Sequence, residues 1–235
     1  MLKALLAFVA ISVPGAALAQ AGQCSLPRTI ARPHVEGPSA REPRRVVPIG
    51  SYTLALTWSP QYCATARGTA KAGFQCGSDN RFGFTLHGLW PDGRGTAWPQ
   101  YCSRAAVLPP AVIRQNLCAT PSAQLIQHEW AKHGTCMKTT PREYFATARR
   151  LYDTLRYPDM AALAARSGLT VGAFAQAFAA RNRGMTADMV RLNVTRGGML
   201  NEVWVCLDRQ KRYARCPAHQ RGSAATARLR ITPRA

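Results

Sequence analysis

The chain has no C-x-x-C pair, no apolar run after residue 19 long enough to cross a bilayer, and few acidic residues. The first absence argues against a zinc site built from cysteine pairs. The second leaves no membrane span in the body of the chain. The third leaves 11 Asp and Glu against 31 Lys and Arg, a formal net charge of +20 over 235 residues. Most of the cations are arginines, whose planar fork suits phosphate. Such a field concentrates polyanions and speeds their encounter at low salt. No internal repeat is visible, and no domain linker follows residue 50.

Residues 1–19 read as an export signal. Lys3 supplies the positive start, Ala4 to Ala10 and beyond the apolar core, and Ala17-Leu18-Ala19 the small-residue cleavage site. Cleavage after Ala19 leaves 216 residues with 30 basic and 11 acidic side chains, a net +19. That length suits one domain with its own core. Eight cysteines in an exported chain imply disulfides in an oxidising compartment, the periplasm or the medium.

Residues 20–49 are rich in proline and arginine and poor in bulky apolar groups, so a poorly ordered leader is expected, followed by a catalytic domain over 50–235. Tyr52 to Trp58 alternates as a core strand, residues 64–81 read as a loop, and Arg81 to Leu86 as a second strand. Ala111 to Leu117 suggests a short helix. Thr120-Pro121 is expected to open a further helix, with proline in the tolerated first turn. Pro141 to Leu155 carries an apolar face at helical spacing, and Met160 to Arg166 and Val171 to Arg181 suggest two more helices. Met189 to Val194 and Leu200 to Leu207 read as a hairpin around Gly197-Gly198, and Leu229 to Thr232 as a last short strand. The expected class is α+β, a mainly antiparallel sheet packed with helices.

Two segments carry the chemistry: Phe84-Thr85-Leu86-His87-Gly88-Leu89-Trp90-Pro91, and His128-Glu129-Trp130-Ala131-Lys132-His133-Gly134-Thr135-Cys136. Three of the five histidines lie in them; His34 and His219 sit in polar stretches that suit solvated side chains. At 100° per residue, His128, Glu129, Lys132 and His133 fall within an arc of about 140° and can face one cleft. Gly134 suits the helix stop. His128-Glu129 begins like a zinc-protease motif, but the second histidine stands at i+5 and Lys132 holds i+4, where an ammonium repels a dication. The set fits RNA cleavage without a metal. RNA carries its own nucleophile, and the reaction needs a neutral imidazole, a protonated imidazole and a cation at the phosphate.

These segments resemble the signatures of the ribonuclease T2 family, and the likeness extends to Leu54-Ala55-Leu56-Thr57-Trp58-Ser59-Pro60-Gln61-Tyr62-Cys63 and to Glu202-Val203-Trp204-Val205-Cys206 through Arg215-Cys216-Pro217. The resemblance covers about residues 51–217. It implies an endoribonuclease that cuts single-stranded RNA through a 2′,3′-cyclic phosphate to 3′-phosphate ends, with low base specificity, no cofactor and a monomeric chain. It implies His133 as general base, His87 as general acid, His128 on the phosphate, and Glu129 and Lys132 stabilising the transition state. Trp90 and Asp92 match its base pocket, and either Trp98 or Tyr101 its further stacking ring. It suggests the pairs Cys102–Cys136, Cys76–Cys118 and Cys206–Cys216, which leaves Cys24 with Cys63. Many relatives carry a further cysteine pair reaching the C-terminal tail; its absence here suggests a looser tail.

Overall fold

Strand β1 (Ile49–Trp58) places Leu54, Leu56 and Trp58 in the core and is the hub of the fold. The structure is a computed structural model describing residues 22–66, 68, 69, 72–77 and 79–234; the expected export signal lies outside the described residues. β1 pairs antiparallel with β2 (Phe84–Gly93) on one side and β4 (Leu200–Leu207) on the other, and β3 (Val190–Val194) pairs with β4. The sheet order is β2-β1-β4-β3. Its helices are α1 (Ser59–Ala66), α2 (Gly73–Cys76), α3 (Pro110–Asn116), α4 (Ala123–Lys132), α5 (Pro141–Thr154), α6 (Met160–Ala165) and α7 (Val171–Ala180). The fold is α+β, as the sequence pattern implies.

One continuous core joins sheet and helices, with Phe84, Leu86 and Val203 from strands against Tyr144, Phe145, Phe174 and Phe178 from α5 and α7. A capping box at Thr140 and Glu143 starts α5. Two α5 tyrosines then donate to β2 carbonyls, Tyr144 to Leu89 at 3.1 Å and Tyr152 to Phe84 at 2.7 Å. These bonds tie the helix to the strand that carries His87.

Several elements differ from the sequence pattern. β2 begins at Phe84, because Arg81 instead forms an isolated bridge with Gln23. β2 runs on through Pro91, tolerated because this is an edge strand. Part of the expected loop is helical: α1 and α2 fill most of residues 59–76. Helix α4 starts after Ser122, whose hydroxyl accepts from the Leu125 N–H, so Pro121 stands before the cap. Leu229 to Thr232 makes one isolated bridge, Arg230 with Met199, rather than a strand, yet the tail is held: Leu229 and Ile231 are buried and Trp58 Nε1 donates to the Thr232 carbonyl at 2.9 Å.

The cysteines pair as Cys102–Cys136 and Cys206–Cys216, as suggested, but also as Cys24–Cys118 and Cys63–Cys76. The suggested Cys76–Cys118 and Cys24–Cys63 are therefore corrected. Cys63 on α1 and Cys76 on α2 lie 5.4 Å apart at Cα, in two helices that pack together. Cys118, just past α3, receives the leader instead, with Cys24 at 5.8 Å.

Residues 22–48, expected as a poorly ordered leader, instead form an extended strap along the domain. Ile30 packs against the core, but many of the strap's contacts are polar, which composition conceals. Beyond the disulfide, Arg45 and Gln100 exchange two backbone hydrogen bonds at 2.9 Å, Gln100 donates to the Pro43 carbonyl at 2.7 Å, and Arg114 reaches the Pro27 carbonyl at 3.1 Å.

Candidate active site

The two signatures meet because the β1–β2 register slips. Ala55 faces Gly88 and Leu56 faces Leu86, so His87 is the extra residue of a β-bulge. From there its Nδ1 lies 2.5 Å from Glu202 Oε1 on β4, across β1. Glu202 is held in turn by Trp204 Nε1 at 2.9 Å. Burial alone would lower the His87 pKa, but the Glu202 hydrogen bond and the charges of Glu129 and Glu202 outweigh it, so His87 is raised above its ordinary value.

Helix α4 delivers His128, Glu129 and Lys132, and His133 is its C-cap. Glu129 is 1% exposed and accepts from Trp90 Nε1 at 2.9 Å through Oε2. Its Oε1 lies 3.6 Å from His87 Nε2. Burial raises the Glu129 pKa, against the lowering by His87, His128, Trp90 and Lys132. His133 is buried, and its Nδ1 has no hydrogen-bond partner among the described residues. Burial first, then the charges of Lys132, His128 and His87, push its pKa well below the ordinary value.

The Trp90 indole separates the two imidazoles. It meets His87 edge-on at 5.1 Å and stacks on His133 at 5.6 Å between ring centroids. This approach needs glycine at 88: a Cβ there would stand 1.7 Å from Glu129 Oε2. Gly134 also answers to packing rather than to a left-handed helix stop, since a Cβ would lie 2.3 Å from the Trp130 ring.

All five expected catalytic side chains line one cleft of about 650 Å³. Trp90, Asp92 and Trp98 line it too; Tyr101 does not. Tyr101 is 4% exposed, and its hydroxyl donates to Glu42 at 3.3 Å, so it offers no ring face to a ligand. Of the two alternatives the structure places Trp98 at the cleft, half exposed, with the Arg45 guanidinium 5.0 Å over its ring. Asp92 accepts from Thr53 at 2.8 Å, and Thr53 accepts from Gln220 at 2.6 Å. Burial raises the Asp92 pKa against those hydroxyl contacts.

Sequence reasoning missed several residues here. Glu202 and Trp204 stand in the quoted late hairpin, but nothing in their spacing ties them to His87. His219, exposed as expected, nonetheless lies on the cleft wall with Gln220 and Arg221. Two strap carboxylates also reach the cleft side chains: Glu36 Oε2 is 2.6 Å from His128 Nδ1, and Glu42 Oε1 is 2.5 Å from Lys132 Nζ.

His128, Glu129 and His133 could offer a metal three donor atoms lying within 4.8 Å of one another. The i+5 spacing therefore does not keep these atoms apart at the end of α4, where His133 is the C-cap. The fit to a dication is poor all the same, since the Lys132 ammonium shares their cleft and repels a second cation.

Comparison with known proteins gives the family of the chain. The profile of the Ribonuclease T2 family matches residues 49–216. A probable ribonuclease of Haemophilus influenzae is 34% identical over 125 residues, 48% of this chain and 45% of that protein, so the match spans less than half the relative's length. A ribonuclease of Aeromonas hydrophila is 30% identical over 165 residues, 68% of this chain and 72% of that one. Among solved structures, an RNase-related protein from Calystegia sepium superposes with a TM-score of 0.60 at 22% identity, covering 77% of this chain and 96% of that one, a likeness of fold.

Proposed function

Since this chain belongs to the ribonuclease T2 family, we propose that it is an exported endoribonuclease that cuts single-stranded RNA without a metal, through a 2′,3′-cyclic phosphate. The observation that carries this reading is a pair of imidazoles pushed to opposite protonation states on either side of Trp90. His87, backed by Glu202, favours the charged form; buried His133 favours the neutral form. Groups whose environments drive their pKa values apart are the ones that can serve as acid and base at one pH.

The steps follow from that assignment. Neutral His133 takes the proton of the ribose 2′-hydroxyl. The 2′-oxygen bonds to phosphorus as the bond from phosphorus to the 5′-oxygen breaks, and His87 gives its proton to that oxygen. The products are a 2′,3′-cyclic phosphate and a 5′-hydroxyl. Water then opens the ring with the roles exchanged: His87 accepts a proton from water and His133 returns one to the 2′-oxygen, leaving a 3′-phosphate. His128 and Lys132 meet the phosphate charge, and Glu129 steadies the pentacoordinate phosphorus through its neighbours. Trp98, half exposed on the cleft wall, offers a face on which any base can stack, which accords with low base specificity.

Export is supported by the residue 1–19 pattern and by four disulfides with no free cysteine among the described residues. End-group analysis tests the chemistry. Polyribonucleotide should first yield cyclic phosphate and 5′-hydroxyl ends, and His87→Ala or His133→Ala should lower turnover by roughly a hundredfold or more. Products with 5′-phosphate ends would refute the mechanism.

A further inference from the structure

The strap over residues 22–48 lies outside the family match, yet it brings two of the chain's 11 acidic residues onto two cleft side chains, His128 and Lys132. We infer that the strap is part of the active site, with Glu36 and Glu42 as positioning residues that aim His128 and Lys132 at the substrate phosphate; the inference rests on the endoribonuclease reading above.

Three observations carry it. The contacts leave the working atoms free. Glu36 engages His128 through Nδ1, so Nε2 remains for the cleft. Glu42 takes one donor direction of an ammonium that has three. Neither glutamate lines the cleft, whereas both of their partners do, so the carboxylates stand behind the cations and not in the substrate's place.

The glutamates are also held from elsewhere. Gln124, one helical turn before His128 on α4, donates its amide to Glu36, and its carbonyl oxygen accepts from the His34 N–H at 2.8 Å. Glu42 sits in a turn closed by Ser39 and accepts from the Tyr101 hydroxyl. Arg44 then reaches the Cys102 carbonyl at 3.2 Å, beside the disulfide that anchors the end of α4.

Finally, the arrangement repeats that of His87, whose Nδ1 is backed by Glu202. A carboxylate on one ring nitrogen fixes the tautomer and orientation of the other. His133, the proposed base, lacks such a partner on Nδ1 among the described residues.

The test uses the exported chain with its four disulfides formed. Nitrogen-15 spectra of the imidazoles are recorded at a pH where His128 is neutral. The parent should carry the His128 proton on Nδ1, and Glu36→Ala should move it to Nε2, the form preferred by free imidazole side chains. With thermal stability unchanged, Glu36→Ala should lower kcat/KM on a dinucleotide by roughly tenfold to a hundredfold, the loss seen when a carboxylate behind a ligating imidazole is removed at metal sites. Glu36→Gln, which keeps an acceptor, should recover part of that loss, and Glu42→Gln should act mainly through a lower kcat. An unmoved tautomer, or a variant faster than the parent, would overturn the inference; the faster variant would mean that the strap obstructs the cleft. The tautomer is read without turnover, so a parent that cuts no RNA refutes the proposed function separately.

Discussion

His87 and His133 are the same side chain in opposite surroundings. Glu202 holds His87 at 2.5 Å, while His133 is buried among positive neighbours. The sign of each limb of the rate profile follows. As pH falls, His133 gains a proton and the base is lost; as pH rises, His87 loses its proton and the acid is lost. Because His87 is raised and His133 lowered, kcat/KM should show a broad maximum between the two limbs. Glu202→Gln removes the carboxylate hydrogen-bonded to His87 and leaves the charge of Glu129, so the alkaline limb should move to lower pH while the acidic limb stays. An alkaline limb that does not move in this variant would show that another group is the acid.

Helix α4 and its attachments decide whether these residues meet. The Cys102–Cys136 disulfide joins the loop bearing Trp98 to the turn that follows His133, and the Tyr101 N–H donates to the Lys132 carbonyl at 2.8 Å. Replacing both cysteines by serine should cost about 2 to 4 kcal/mol of stability, measured by urea unfolding. It should also lower kcat more than a matched loss of stability elsewhere, because His133 ends the tethered helix. Unchanged kcat would assign the bond to stability alone. At this scale the sequence was legible where chemistry or periodicity is local. Both signatures, helix α5 and the β3–β4 hairpin could be read from spacing. Helix α1 could not, because the residues it buries are Ser59 and Gln61 and no apolar stripe marks it. Two cysteine pairings went wrong because Cys24 reaches Cys118 over a separation of 94 residues, which no local pattern encodes. Glu36 and Glu42 were invisible for the same reason, since their meaning depends on where a proline-rich strap crosses α4.

Across the whole molecule the charge is lopsided, yet the cleft is balanced. Of the 11 acidic residues, Glu36, Glu42, Asp92, Glu129 and Glu202 stand in or directly behind the cleft. The excess of arginine therefore acts from the surrounding surface, where it meets long polyanions. The rate of encounter with long RNA should fall steeply as salt rises, while dinucleotide cleavage, with few phosphate contacts, should change much less. Equal slopes for the two substrates would show that the surface charge does not steer RNA. The central claim, that two histidines activate the substrate's own hydroxyl without a metal, is tested most directly by one comparison. A ribonucleotide oligomer and its deoxy counterpart are each incubated with the protein, with and without chelator. The account predicts cleavage of the ribo strand alone, at the same rate in both conditions. Cleavage of the deoxy strand, or loss of ribo cleavage on adding chelator, would contradict it.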